Sequence, residues 1–196
     1  MSISNEILPA ILPKNLEQLT YEAELVEDVA STLHIDVLED TFIPDGIVLG
    51  TPFETHLMVK DPRELAKIWI EEGAQRIIVH TLPREILELR DLVEIGLGVE
   101  LHIPLEEIYD SLGDVDFVNL MSIKEIGKQG NAFEPEIFDR IKELKRKFPQ
   151  VIVSVDGGVK LENYKELILA GADRLIVGSA IFAADDPAEA FEKFLE

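Results

Sequence analysis

Residues 151–158 read Val-Ile-Val-Ser-Val-Asp-Gly-Gly, a β-branched run that ends on an aspartate and two glycines. Its apolar character without strict alternation favours a strand buried on both faces, as in a parallel sheet covered by helices. Residues 33–37, 55–59 and 76–80 share this design, since each combines a β-rich run with histidine or aspartate. If these strands are parallel, their carboxyl ends lie together and their polar side chains converge.

The same alternation of β-rich and amphipathic segments extends along the chain. Strands are predicted at residues 7–11, 33–38, 54–59, 76–80, 97–103, 117–123, 151–156 and 174–178. Helices are predicted at residues 16–29, 62–72, 83–95, 105–111, 135–147, 161–170 and 187–195. Prolines near the predicted helix starts, and Gly73, Gly96 and Gly171 near predicted helix ends, support this division.

Eight strands with intervening helices predict an α/β fold, a (β/α)8 TIM barrel formed by residues 1–196 as a single domain. The crossover at residues 39–53 is the exception, because it is short and contains two prolines and two glycines. A crossover needs about a dozen residues, so the second helix is expected to be short or absent. An open doubly wound sheet is the alternative, although that fold seldom uses eight strands.

Composition excludes several classes of partner. The 39 acidic and 18 basic residues give a formal charge of -21, which lacks the basic footprint that nucleic acid and anionic membranes require. The chain has no cysteine, so disulfides and thiolate ligands are excluded. Because no apolar run approaches the ~20 residues needed to cross a bilayer and no export signal is evident, we expect a cytoplasmic protein without membrane or nucleic-acid partners.

Polar residues at the predicted strand ends indicate a metal-dependent active site. His34 and Asp36 are two residues apart, so on a strand they point to the same side. We expect four side chains to surround one ion: His34, Asp36, His56 and Asp156. His80 and His102 also fall near strand ends and are expected to line the pocket, although a structural hydrogen bond would explain His80 equally well. A pair of capping aspartates is the alternative to the metal site.

Glycines after the last two strands predict a phosphate site. Such loops often hold a phosphate in barrel enzymes through backbone N–H groups, and glycine permits the close approach. The candidate residues are Gly157, Gly158, Gly178 and Ser179.

Several segments resemble the ribulose-phosphate 3-epimerase family. Residues 34–45, His-Ile-Asp-Val-Leu-Glu-Asp-Thr-Phe-Ile-Pro-Asp, resemble its H-x-D-V-M-D-G-x-F-V-P-N, and residues 55–59 resemble its D-V-H-L-M-V. Residues 121–123, 155–159 and 171–182 resemble its M-S/T-V, V-D-G-G-I/V and G-A-D…G-S-A-I-F segments in the same order. The resemblance covers nearly the whole chain.

The resemblance implies an epimerase that interconverts D-ribulose 5-phosphate and D-xylulose 5-phosphate through a metal-stabilised enediolate. The four candidate ligands match the family's ligands one for one, and Zn, Fe, Mn or Co would suit them. Asp36 and Asp156 match the pair that removes and returns the C3 proton. Leu38, Met58 and Met121 match an apolar cap over the metal, with plain core packing as the alternative.

Three departures from the family pattern affect substrate binding. The family's P-S-I-L-S becomes Pro9-Ala10-Ile11-Leu12-Pro13, which replaces the last serine, the one expected to reach the substrate, by Pro13. The loop after strand six changes at residues 124–131, where Lys124 or Lys128 could bind the phosphate as a point charge. His102 stands where the family has asparagine and is expected to contact substrate.

These departures leave two alternatives open. The substrate could be another ketose phosphate, such as a hexulose 6-phosphate, or the barrel could bind a sugar phosphate without turnover. The missing helix would also expose apolar strand surface. We therefore expect a homo-oligomer, or repacked neighbours, to cover that surface.

Overall fold

Eight parallel strands form a closed barrel in this computed structural model, which describes residues 5–128 and 130–196. Each strand pairs with the next along the chain, and β8 pairs with β1. The strands are β1 (Glu6–Ile11), β2 (Leu33–Leu38), β3 (Phe53–Met58), β4 (Arg76–Val79), β5 (Glu94–Val99), β6 (Phe117–Met121), β7 (Ile152–Asp156) and β8 (Arg174–Val177). The predicted (β/α)8 barrel is confirmed.

Helices cover the outside of the barrel. They are α1 (Leu16–Glu24), α2 (Arg63–Glu71), α3 (Arg84–Leu87), α4 (Ile137–Lys147), α5 (Tyr164–Ala170), α6 (Ser179–Phe182) and α7 (Pro187–Glu192), with 3-10 helices at Glu88–Asp91 and Leu105–Ser111. In α4 the buried residues Ile137, Ile141 and Leu144 recur at helical spacing and form one apolar face. Among the described residues, no helix is both long enough and apolar enough to span a bilayer.

The crossover between β2 and β3 contains no helix, as its length predicts. Three apolar side chains of this loop, Phe42, Ile47 and Leu49, pack on the core instead. The Phe42 ring meets the buried Trp69 of α2 edge to face, with ring centroids 6.4 Å apart. The loop therefore covers part of the wall that a helix would otherwise cover, while Val48 remains 86% exposed.

The fifth strand differs from its prediction. It spans Glu94–Val99, whereas residues 97–103 were expected, and the third helical segment ends at Asp91 rather than at residue 95. Gly96 is a strand residue and does not end a helix. A Cβ at this position would lie 2.4 Å from the ring of Phe117 on β6, which explains why the strand has a glycine there. The glycine is needed for packing inside the barrel. Gly73 and Gly171 do follow helices, with φ of 104° and 115°.

We predict that Phe42→Ala lowers the free energy of unfolding by about 1–2 kcal/mol, because a half-buried aromatic side chain loses its packing on the barrel wall. Val48→Ala, in the same loop but exposed, is the matched control and should change it by less than about 0.5 kcal/mol. Urea denaturation measures both variants. Equal effects would contradict the view that this loop replaces the missing helix.

Candidate active site

Four metal-ligating side chains meet at the carboxyl end of the barrel. One ligand atom from each of His34, Asp36, His56 and Asp156 lies within 4.8 Å of the others. Strand register explains the convergence, since Asp36 pairs with His56 between β2 and β3. Asp156 arrives from β7, at the last residue of that strand. The predicted group is therefore brought together by three strands.

The distances within this group fit ligands of a shared ion. His34 Nε2 lies 3.3 Å from Asp36 Oδ1, and His56 Nδ1 lies 3.1 Å from Asp156 Oδ2 and 3.4 Å from Asp36 Oδ1. Neighbouring ligands held about 2.1 Å from one ion would be separated by about 3.0–3.4 Å. Within residues 5–128 and 130–196, His56 Nδ1 makes no hydrogen bond despite these short distances. A buried nitrogen with this environment fits a metal ligand.

The electrostatics favour positive charge at the centre of the group. Burial alone would lower the pKa of His34, but its contacts with Asp36 and Glu54 raise that pKa well above its ordinary value. Burial alone would raise the pKa of Asp36, but both histidines hold it well below its ordinary value. Two anionic carboxylates at a barrel mouth need such compensation, which protons or a divalent cation can provide.

The outer ring nitrogens of both histidines also have partners. His34 Nδ1 lies 2.7 Å from Glu54 Oε1, and both side chains are buried. His56 Nε2 lies 2.9 Å from His80 Nε2, with the two rings stacked. Burial and the neighbouring His56 lower the pKa of His80 to about 3, so this ring is neutral. Partners on the outer nitrogen are typical of metal-ligating histidines, whose ring orientation they fix.

A cleft that is partly open to solvent lies beside this group. Asp36 and Asp156 both reach it, and so do seven further residues singled out in the sequence: Met58, Met121, Lys128, Gly157, Gly158, Gly178 and Ser179. Gly157 and Gly158 have φ of 110° and 64°, a conformation that favours glycine. The acid/base candidates and the glycine loops thus share one cleft.

The remaining predicted pocket residues lie in different places. Leu38 sits beside the loop after β6, where a Cβ on Gly127 would come within 3.0 Å of it. His80 contacts His56 rather than the cleft itself. His102 lies beyond β5 in a turn, with its side chain 69% exposed and 3.6 Å from Glu100. Because β5 ends earlier than predicted, His102 is carried away from the cleft, and its expected substrate contact is not supported.

The residue of β1 that lines the cleft also differs from the expected one. Ala10 lines the cleft, whereas Pro13 lies beyond the end of the strand and is not among the lining residues. Both serines of P-S-I-L-S are replaced in this chain, and Ala10, at the first of them, is the one that leaves the cleft without a hydroxyl group.

Three polar residues of the site were not singled out from the sequence. Glu54 contacts His34, Arg76 contacts Glu54, and Asn119 Nδ2 lies 3.5 Å from Asp156 Oδ2. Strand alternation could have identified Glu54, since it lies two residues before His56 and shares its face. Arg76 and Asn119 required the register of neighbouring strands.

The fold and the site define a class of protein. A (β/α)8 barrel with paired carboxylates, a candidate metal centre and a glycine-lined cleft at its strand ends has the organisation of an enzyme that acts on a small ligand. Residues 6–182 match the Ribulose-phosphate 3 epimerase family, and this chain belongs to that family. Its enzymes are isomerases.

Relatives at the sequence level carry the same name. The chain is 30% identical to a ribulose-phosphate 3-epimerase of Mycobacterium tuberculosis, covering 94% of this chain and 89% of the relative. It is 29% identical to that of Bacillus subtilis, covering 96% and 97%.

Solved structures with lower identity show the fold alone. An orotidine 5'-phosphate decarboxylase from Pyrococcus horikoshii superposes with a TM-score of 0.71 at 21% identity, covering 96% of each chain. A 3-hexulose-6-phosphate synthase from Salmonella typhimurium superposes with a TM-score of 0.74 at 16% identity, also covering 96% of each chain.

We predict that Gly98→Ala displaces the His80 ring from His56, because the added Cβ would lie 2.9 Å from His80. Overpacking of this kind should lower the free energy of unfolding by about 1–3 kcal/mol. Imidazole ¹H–¹⁵N spectra should show altered His56 and His80 signals. Gly113→Ala is the control, because a Cβ there meets nothing within 4 Å. Unchanged imidazole spectra in Gly98→Ala would contradict this packing.

Proposed function

We propose that this protein is a metal-dependent epimerase that interconverts D-ribulose 5-phosphate and D-xylulose 5-phosphate by inverting C3. The observation that carries the proposal is the cluster of two histidines and two aspartates beside the glycine-lined cleft. Membership of the family and the names of the relatives support the choice of substrate.

Asp36 and Asp156 are the proposed acid/base pair. They stand on β2 and β7, and both line the cleft, so their carboxylates approach a ligand from different strands. One carboxylate would remove the C3 proton and the other would return a proton to the opposite face, which inverts the carbon. Asn119 supports this role for Asp156, because its amide Nδ2 lies 3.5 Å from Asp156 Oδ2 and can donate to it.

His34, Asp36, His56 and Asp156 would together hold one divalent ion. A His2Asp2 set suits Zn, Fe, Mn or Co. When bound, such an ion would stabilise the negative charge that develops on the oxygens beside C3 as the proton leaves. The histidines contribute no proton transfer in this scheme, since their inner nitrogens face the carboxylates and their outer nitrogens face Glu54 and His80.

Met58 and Met121 would exclude water from the reacting carbon. Both line the cleft beside the aspartates, and Met121 is buried. An apolar wall at this position protects the enediolate of the substrate from solvent.

The phosphate would bind at the glycine loops after β7 and β8. Gly157, Gly158, Gly178 and Ser179 line the same cleft, where backbone N–H groups can approach a phosphate closely. Both lysines of this loop are largely exposed and pair with a glutamate at 3.0 Å, Lys128 with Glu125 and Lys124 with Glu134. Lys128 lines the cleft, whereas Lys124 is not among the lining residues. Lys128 is therefore the proposed point charge of this subsite.

A second candidate function is the epimerisation of another ketose phosphate, such as a hexulose 6-phosphate. The specific observation in its favour is Ala10, which lines the cleft without the hydroxyl that the family pattern places there. A panel of ketose phosphates distinguishes the two candidates. A higher kcat/KM for a hexulose 6-phosphate than for D-ribulose 5-phosphate would favour the second.

The proposed assembly is a homo-oligomer. Ile43 and Val48 support it, because both are exposed apolar residues of the loop that replaces the second helix. Light scattering measures the mass in solution, and a monodisperse monomer would contradict this part of the proposal.

We predict that Asp36→Asn and Asp156→Asn each abolish formation of D-xylulose 5-phosphate from D-ribulose 5-phosphate, because each removes one member of the acid/base pair. Solvent deuterium incorporation at C3 of D-ribulose 5-phosphate should be lost in the variant that lacks the carboxylate facing that proton. NMR follows both the exchange and the formation of xylulose 5-phosphate. Chelation of the metal should also stop exchange in the unaltered protein, and metal addition should restore it.

Metal content is measured in the same samples, so that a lost proton acceptor is distinguished from a lost ion. Epimerisation that persists in either variant, or exchange that persists in both, would contradict the pair. Substrate binding without exchange in the metal-loaded, unaltered protein would favour the sugar-phosphate-binding barrel.

We predict that Lys128→Met raises KM for the phosphorylated substrate about tenfold while kcat changes little, since a hydrogen bond to a charged group contributes about 1.5–3 kcal/mol. Steady-state kinetics measure both constants. Lys124→Met removes the same charge from the same loop but outside the cleft, so its KM should stay near the unaltered value. Equal effects of the two substitutions would indicate general electrostatics instead of a phosphate contact.

A further inference from the structure

The barrel below the cleft contains charged side chains where barrel interiors are usually aliphatic. Glu54 is buried on β3, and Arg76 on β4 pairs with it in the strand register. Arg76 also contacts Glu6 and Glu94, and Arg174 contacts the same two glutamates. This base network of two arginines and three glutamates connects to the candidate metal group through Glu54 alone among the contacts described.

We propose that Arg76 is a positioning residue for the candidate metal centre and acts through Glu54 on the ring of His34. The inference rests on the metal site of the proposed function. It assigns a role to a residue that does not touch the cluster itself: Arg76 Nη1 donates to Glu54 Oε2 at 3.0 Å, and Glu54 Oε1 lies 2.7 Å from His34 Nδ1.

The hydrogen bonds that connect Arg76, Glu54 and His34 can run in only one direction. An arginine side chain only donates hydrogen bonds, so Glu54 Oε2 must accept from Arg76. The other carboxylate oxygen, Oε1, then faces His34 Nδ1, which must donate. A neutral imidazole with its proton on Nδ1 has a lone pair on Nε2, the atom that lies 3.3 Å from Asp36 Oδ1. These hydrogen bonds therefore direct the His34 lone pair towards the cluster.

Arg76 determines which terminal side-chain atom of residue 54 faces His34. This leads to a specific prediction for Glu54→Gln. Arg76 would attract the amide oxygen of the glutamine and turn its NH₂ group towards His34 Nδ1. His34 would then have to accept at Nδ1 and carry its proton on Nε2, where it blocks a metal. We expect the affinity for Zn²⁺ to fall by about 100-fold, at the upper end of losses caused by changing the partner of a ligand.

A second substitution should restore part of that affinity. In Glu54→Gln/Arg76→Met the arginine no longer selects the amide oxygen, so the glutamine can turn and accept from His34 Nδ1. We expect the double variant to bind Zn²⁺ about tenfold more tightly than Glu54→Gln alone, while Arg76→Met alone binds about tenfold more weakly than the unaltered protein. Glu6 and Glu94 keep Arg174 as a partner in these variants, which preserves the base network.

Glu94→Gln is the matched control. Glu94 contacts both arginines of the base network, and the described contacts do not join it to His34. This variant should lower stability without changing the affinity for Zn²⁺. A purely structural role for Arg76 would instead make Arg76→Met resemble Glu94→Gln in both properties.

The experiment is a chelator competition with Zn²⁺ on all five proteins, together with thermal unfolding and imidazole ¹H–¹⁵N spectra. The expected result is partial rescue by the second substitution. At a pH high enough to make the metal-free ring neutral, the His34 proton should lie on Nδ1 in the unaltered protein and on Nε2 in Glu54→Gln. Losses that add in the double variant, or an affinity that is unchanged in Glu54→Gln, would overturn the inference. If the unaltered protein binds no Zn²⁺, the metal part of the proposed function fails. Spectra of the metal-free proteins at a pH high enough to make His34 neutral still decide the direction of these hydrogen bonds.

Discussion

Two carboxylates lie against two histidines at the mouth of the barrel, and much of the interior compensates for this burial. An uncompensated buried carboxylate is costly, so Asp36 and Asp156 require positive charge or hydrogen bonds nearby. The inner nitrogens of the histidines lie 3.1–3.3 Å from the two carboxylates, where protons on the rings or a shared cation can compensate them, and Glu54 and His80 contact the outer nitrogens of the two rings. Glu54 in turn requires Arg76, which extends the requirement to the base of the barrel. The charged residues of the site and those at the base of the barrel therefore form one connected network.

Part of this arrangement could be predicted from the sequence because strand alternation is local. His34 and Asp36 share a face on any strand, and the runs that carry His56 and Asp156 end near the same edge of a parallel sheet. The closed barrel and the missing second helix also followed from the lengths of the segments. The ligand roles of these residues remain proposals, although the structure brings all four together.

Other features depended on contacts between strands and could not be predicted in this way. The start of β5 was misplaced because Gly96 was interpreted as the end of a helix. Gly96 is instead a strand residue, and the ring of Phe117 on the neighbouring strand leaves no room for a side chain there. That shift also explains why His102 was expected in the pocket. Ala10 and Pro13 were confused because the resemblance alone does not show which residue of β1 faces the cleft. Arg76 was overlooked because its partners come from β1, β3 and β5.

The central claim is that His34, Asp36, His56 and Asp156 bind one divalent ion. X-ray diffraction from crystals grown with Zn²⁺, recorded on both sides of the zinc absorption edge, tests it most directly. The account predicts one strong anomalous peak among the inner nitrogens of the two histidines and the two carboxylates. A fully formed cluster without a peak, or a peak only at surface carboxylates, would contradict it.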